Sequence, residues 1–286
     1  MPKKVITNNS DDVQRADVLL ANTYPKYSRA ALAKLFDQQS ITQNDLPIKA
    51  GEKLKPGEMF IADITNILKK PKKINLPIIY EDNNVIVIDK PVGVISHAKG
   101  RFWDEPSVAS FVRDKTSGFI GERAGIVHRL DRATSGVMIC AKNVETMTLL
   151  QRQFANRKTK KSYFAIVLGE VEPKKAIIDV PIARNPKKPQ IFRPDALGKK
   201  ATTAYEVVKT TGIYNLLELK PTTGRTHQLR VHLSYIKHPI LGDELYGGEP
   251  ANRLYLHAYS LEITLPGGSR QVFISQLPKE FEEYIK

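Results

Sequence analysis

The sequence predicts an α+β fold, with a small N-terminal α+β unit ahead of a larger β-rich domain built on a mixed or antiparallel sheet. Three observations predict it. Strand-like segments outnumber helical ones and do not alternate with them, so a parallel sheet of βαβ units fits poorly. The 286 residues suffice for one large core and one accessory domain, which calls for a single boundary. Hydrophobic residues at 41% and charged residues at 26% are ordinary globular usage, which argues against disorder or a fibrous repeat.

Residues 1–12 are polar and aperiodic and read as a flexible tail. A short helix through Val18-Leu19-Leu20 is expected next. A second follows, capped by Ser28, with Ala31, Leu32, Leu35 and Phe36 on its apolar side. Strand-like pieces at Ser40–Thr42 and Met59–Ala62, with Pro56-Gly57 as a turn between them, complete a unit over 13–64. Residues 65–77 hold Lys69-Lys70-Pro71-Lys72-Lys73, a Pro-broken basic stretch that reads as a linker.

The larger domain is expected over 78–286. Its strand signals are Val85–Ile88, Ile126–His128, Val137–Ala141, Tyr163–Leu168, Thr203–Val208, Tyr214–Leu219 and Leu256–Thr264. Helical periodicity appears in Met147, Leu150 and Phe154 and again across Thr226–Tyr235.

Lys and Arg total 44 against 30 Asp and Glu, a formal net charge of +14, which favours a polyanionic partner through phosphate contacts and counterion release. Cys140 is the only cysteine, so an intramolecular disulfide and a thiolate metal cluster are excluded, and a reducing, cytoplasmic setting is expected. It lies in the apolar run Val137–Ala141 and reads as a buried inert thiol. The start lacks the apolar core of a signal peptide, and no run of about eighteen apolar residues occurs. No membrane is expected, and a monomer is.

Two groups of motifs carry resemblances. Tyr27-Ser28-Arg29-Ala30-Ala31-Leu32, then Asn44-Asp45 and Leu54-Lys55-Pro56-Gly57-Glu58, preceded by Arg15-Ala16-Asp17, resemble the S4 RNA-binding domain. That resemblance implies that Lys26, Arg29 and Lys34 grip phosphates; the competing reading is a helical docking module.

The second group centres on His128-Arg129-Leu130-Asp131-Arg132-Ala133-Thr134-Ser135-Gly136, a polar loop between two apolar strand segments. Taken alone, Asp131 between two arginines is an ordinary surface ion pair. The whole segment, however, resembles the signature of the RluA family of pseudouridine synthases. Three further segments follow that family's order: Tyr80–Asn84 leading into Val87–Gly93, Lys160–Tyr163, and Thr223–Leu233 continuing to His238–Asp243. The likeness spans about residues 78–276. The segment Ser96–Trp103 departs from the family's common His-Pro pattern, which leaves the family branch open.

The resemblance implies that Asp131 is the catalytic carboxylate, Tyr163 stacks on the target base, Arg230 pairs with Asp131, and Arg129 helps hold distorted RNA. Arg132, Arg225 and His227 are further RNA-binding candidates. The reaction moves uracil from an N1 to a C5 linkage on ribose C1′, loses no atoms and needs no cofactor. Asp131 has three open roles: attack on C1′, attack on the ring, or removal of a proton. Structured RNA is the implied partner, large-subunit ribosomal RNA foremost and transfer RNA as the alternative. A non-catalytic RNA-binding or ribosome-assembly factor on the same fold is the rival class. No metal is expected, because His227 and His232 are five residues apart and do not share a helix face.

Overall fold

A computed structural model describes residues 2–69, 72–98, 105–119 and 123–286. Lys70 and Pro71 of the expected linker, and residues 99–103 of the divergent segment, lie outside the described residues. The chain divides into two compact units, one centred on residues 2–69 and one comprising 73–97 and 106–286. Among the described residues no helix is long and apolar enough to cross a membrane.

The first unit packs the helices Ala16–Thr23 and Arg29–Asp37 on a four-stranded antiparallel sheet ordered Lys3–Thr7, Met59–Asp63, Ile41–Gln43, Leu46–Pro47. Leu20, Leu32, Leu35 and Phe60 fill its core. Ser28 Oγ accepts the Ala31 N–H at 3.2 Å, the expected cap.

The expected tail is corrected here, because Lys3–Thr7 is a strand paired with Met59–Asp63 and Ile6 is buried. A single Val5-Ile6 pair is too short to show periodicity, and the strand arises from its long-range partner. The linker is shorter than expected too. Ile67 belongs to the first unit's core and Leu76 to the second's.

The second unit is a nine-stranded mixed sheet. The order runs Lys175–Asp179, Thr202–Thr210, Tyr214–Pro221, Lys160–Leu168, Leu256–Thr264, Ser135–Ala141, Val85–Lys90, Ile78–Glu81, with Arg270–Ile274 also pairing Leu256–Thr264. Among the described strands its one parallel pairing sets His257 opposite Ser135 and Ala258 opposite Gly136. Ile126–His128 is not a strand: only Ile126 bridges, to Cys140, before the chain leaves the sheet. The helix Val144–Ala155 covers the half of the sheet that holds Ser135–Ala141 and Val85–Lys90, and buries Leu150. The helix Gln228–Tyr235 covers the other half and buries Leu229 and Leu233. Tyr163 packs against both cores.

Gly136 closes the Asp131 loop at the parallel pairing. Its φ is +114°, and a Cβ there would lie 2.2 Å from the Ala258 carbonyl oxygen. Only glycine lets the two backbones approach so closely. Gly136→Ala should destabilise the protein by about 3 kcal/mol or more, from left-handed strain plus overpacking, as read by urea unfolding.

Candidate active site

Asp131 is held from behind. Ser96 Oγ donates to Leu130 O at 2.7 Å and accepts the Leu130 N–H at 3.1 Å. Gly93 N–H donates to Arg132 O at 2.9 Å. The Lys90 ammonium, fully buried, donates to Pro91 O, Val94 O and Arg132 O at 3.0, 2.8 and 3.3 Å. Burial pulls Lys90 down to about 7, while the Asp131 carboxylate pulls it the other way. The Asp89-Lys90-Pro91 segment thus brackets the loop bearing Asp131 through backbone carbonyls.

In front of Asp131 lies a cavity of about 110 Å³ whose lining includes Arg129, Asp131, Lys161, Tyr163, Arg225, His227 and Arg230. Most of the residues singled out from sequence in this unit therefore meet in one place. Arg132 does not line it; its guanidinium lies 3.4 Å from Gly93 O. Tyr163 enters from the sheet, and burial, with the Asp131 charge, pushes its hydroxyl pKa up.

The expected Arg230–Asp131 ion pair is present at 3.9 Å, and Arg230 has a second, tighter partner. Arg230 makes a two-pronged bond to the buried Asp243, Nε to Oδ2 at 2.8 Å and Nη2 to Oδ1 at 2.6 Å, and stands 3.9 Å from Asp131 through Nη1. Burial pulls Arg230 down, but the Asp243 hydrogen bonds outweigh it and keep the guanidinium charged. Asp243 reaches this spot because Gly242, at φ +80°, passes within 1.8 Å of the Arg253 carbonyl measured from an added Cβ.

His227 sits at φ 57° just before its helix, so the helix begins two residues later than the periodicity predicts. Its Nδ1 meets the Tyr246 hydroxyl at 2.8 Å and its Nε2 lies 3.8 Å from Asp131. Burial lowers its pKa against the pull of Asp131, so the ring faces the carboxylate neutral at pH 7. The Asp131 carboxylate consequently has no hydrogen-bonding side chain among the described residues, since both neighbours stand beyond hydrogen-bond reach.

Other groups have assigned work. His232 is saturated by Thr203 Oγ1 and Val180 O at 2.9 and 3.0 Å, and no cluster of three metal-ligating side chains occurs among the described residues. His128 accepts the Ile139 N–H at 3.1 Å and stacks on Phe154, and burial pushes it down to about 3. The Cys140 thiol is pushed up to about 12 by burial and is inert.

In the first unit, Lys26 and Lys34 are exposed, while Arg29 is committed to Asp17 through bonds of 3.0 and 2.8 Å. Burial pushes the Asp17 carboxyl up, but hydrogen bonds from Arg15 and Arg29 hold it below the usual range. Asp243, Lys90 and Tyr246 escaped sequence reasoning. Their signals were a buried-position lysine ending the apolar run Val85–Ile88 and the Gly242-Asp243 step.

A family described as RNA pseudouridylate synthase matches residues 84–235. The chain is 45% identical over 229 residues to ribosomal large subunit pseudouridine synthase D of Borreliella burgdorferi, covering 76% of this chain and 69% of that one. It is 33% identical over 270 residues to the protein of the same name from Escherichia coli K12, covering 93% and 78%. Among solved structures, Human RNA Pseudouridylate Synthase Domain Containing 4 superposes with a TM-score of 0.59 at 28% identity, covering 73% of this chain and 91% of that one. Human RNA Pseudouridylate Synthase Domain Containing 1 gives 0.60 at 27%, covering 72% and 86%.

Proposed function

The chain belongs to the RluA family of RNA pseudouridine synthases, and on that premise we propose that it isomerises uridine in large-subunit ribosomal RNA, with Asp131 as the catalytic carboxylate. The observation that carries the assignment of Asp131 is its freedom. The buried carboxylates of Asp17 and Asp243 are each locked by arginine hydrogen bonds, whereas Asp131 faces a ring-sized cavity and, among the described residues, accepts no side-chain hydrogen bond.

The chemistry follows from the lining. The bond from C1′ to N1 breaks, uracil turns, C1′ joins C5, and the C5 hydrogen leaves as a proton while N1 gains one. Asp131 supplies negative charge at the carbon or ring position that becomes electron-poor. Arg230, fixed by Asp243, places a positive charge 3.9 Å from Asp131 without hydrogen-bonding to its oxygens. Tyr163 offers an aromatic face to the base. Arg129, Arg225 and His227 line the entrance and meet RNA, and Arg132 meets it outside the cavity.

The target RNA is tested by incubating the enzyme with unmodified large-subunit ribosomal RNA and with transfer RNA, each labelled with tritium at uridine C5. Tritium release from the ribosomal RNA alone is expected. Release from transfer RNA alone would replace the substrate.

The first unit acts as an S4-like RNA-binding domain in this reading. Lys26→Gln with Lys34→Gln should weaken RNA binding and lower the salt dependence of log Kd by about two units of slope. An unchanged slope would favour a docking module. The reading includes a monomer working in the cytoplasm, in keeping with one buried thiol and the basic excess. Light scattering on the purified protein checks the monomer.

A further inference from the structure

Beside the cavity at Asp131 lies a second one of about 380 Å³, more than three times larger, which shares Arg129, Lys161, Tyr163 and Arg225 with it. The shared residues make the two spaces contiguous. The small one suits a single flat ring, so the RNA chain on either side of that ring must leave through neighbouring space. The larger cavity adds Arg157, with Phe154 and Val127 as apolar wall.

Among the described residues four cations line this space and no carboxylate does. Elsewhere in the chain many cations have acidic partners, as in Arg230–Asp243, Lys142–Glu81 and Arg270–Glu262. Among the described residues the Lys161 ammonium, partly buried, donates only to Thr223 O at 3.1 Å, and burial pulls it down to about 8. Like charges gathered without counter-charge favour an anion.

Arg157 gives an independent sign. The helix Val144–Ala155 ends in a Schellman motif, with Arg157 N–H donating to Phe154 O and Lys158 N–H to Gln153 O. The seat at φ 56° that glycine usually fills is taken by Arg157. A long cationic side chain is kept there against backbone preference, at the cavity wall.

We propose that the larger cavity is a phosphate subsite for the nucleotide joined to the target uridine, with Arg157, Lys161 and Arg225 taking the phosphate and Phe154 and Val127 the flanking base. It rests on the reading that the smaller cavity takes the uridine.

The test uses the full-length enzyme and whichever RNA it converts, the uridine being located by pseudouridine mapping. If that RNA is transfer RNA, the large-subunit reading falls and the subsite is judged on transfer RNA by the same variants. Arg157→Gly should raise the melting temperature, because glycine suits the seat, and yet raise the RNA concentration for half-maximal rate about tenfold and lower the salt slope by about one. Neutral methylphosphonate placed at one of the two linkages flanking the uridine should weaken wild-type binding about tenfold and cost Arg157→Gly little more. Unchanged affinity and slope in Arg157→Gly would overturn the subsite, as would equal methylphosphonate penalties in both proteins. A lowered melting temperature with binding lost in proportion would make Arg157 structural only.

Discussion

Asp131→Asn should abolish isomerisation, lowering the single-turnover rate by about four orders of magnitude or more, while RNA affinity and thermal stability stay near wild type. The substitution keeps the shape and removes only the charge. Stability is expected to hold because the carboxylate lies 3.8 and 3.9 Å from its nearest partners, His227 and Arg230, and no described side chain depends on it for a hydrogen bond. Measurable product above background from this variant, at saturating RNA, would remove Asp131 from the chemistry.

Arg230→Ala should cost both stability and activity. It strands the Asp243 carboxylate, which is fully buried and accepts both prongs of the guanidinium. Breaking one side of such a pair costs about 3–5 kcal/mol. The same change removes the positive charge beside Asp131, so the rate should collapse beyond what unfolding explains. The two effects are separable. Arg230→Met combined with Asp243→Leu leaves no buried charge and should recover much of the stability in urea unfolding, yet remain inactive. Recovery of activity together with stability would mean that Arg230 only holds the fold.

These two predictions differ in how they became legible. Asp131, Tyr163 and Arg230 stand in short ordered motifs, and the segments Val137–Ala141, Tyr163–Leu168 and Leu256–Thr264 carry strand patterns that the sheet repeats. Their meeting at one cavity agrees with that reading. The second partner of Arg230, Asp243, was not legible, because thirteen residues of separation and a glycine-permitted backbone crossing decide it. The need for a cation beside a partly buried carboxylate pointed to Asp131, which lies 3.9 Å away, while the two-pronged bond to Asp243 fixes the guanidinium.

The same distinction explains the ends of the chain. Lys3–Thr7 forms a strand through a partner more than fifty residues away, which local pattern cannot show. The pairing of Arg29 with the buried Asp17 was likewise not legible, because it joins two helices twelve residues apart in sequence. Lys90 was read as part of a motif without a task. Its task, tying Pro91, Val94 and Arg132 together, depends on three carbonyls from two segments.

The most direct measurement of the central claim is a pseudouridine map of large-subunit ribosomal RNA from cells in which Asp131→Asn replaces the wild-type chain. Specific ribosomal pseudouridines should disappear, the protein should persist at its normal level, and the map of transfer RNA should be unchanged. A ribosomal map identical to wild type would contradict that claim.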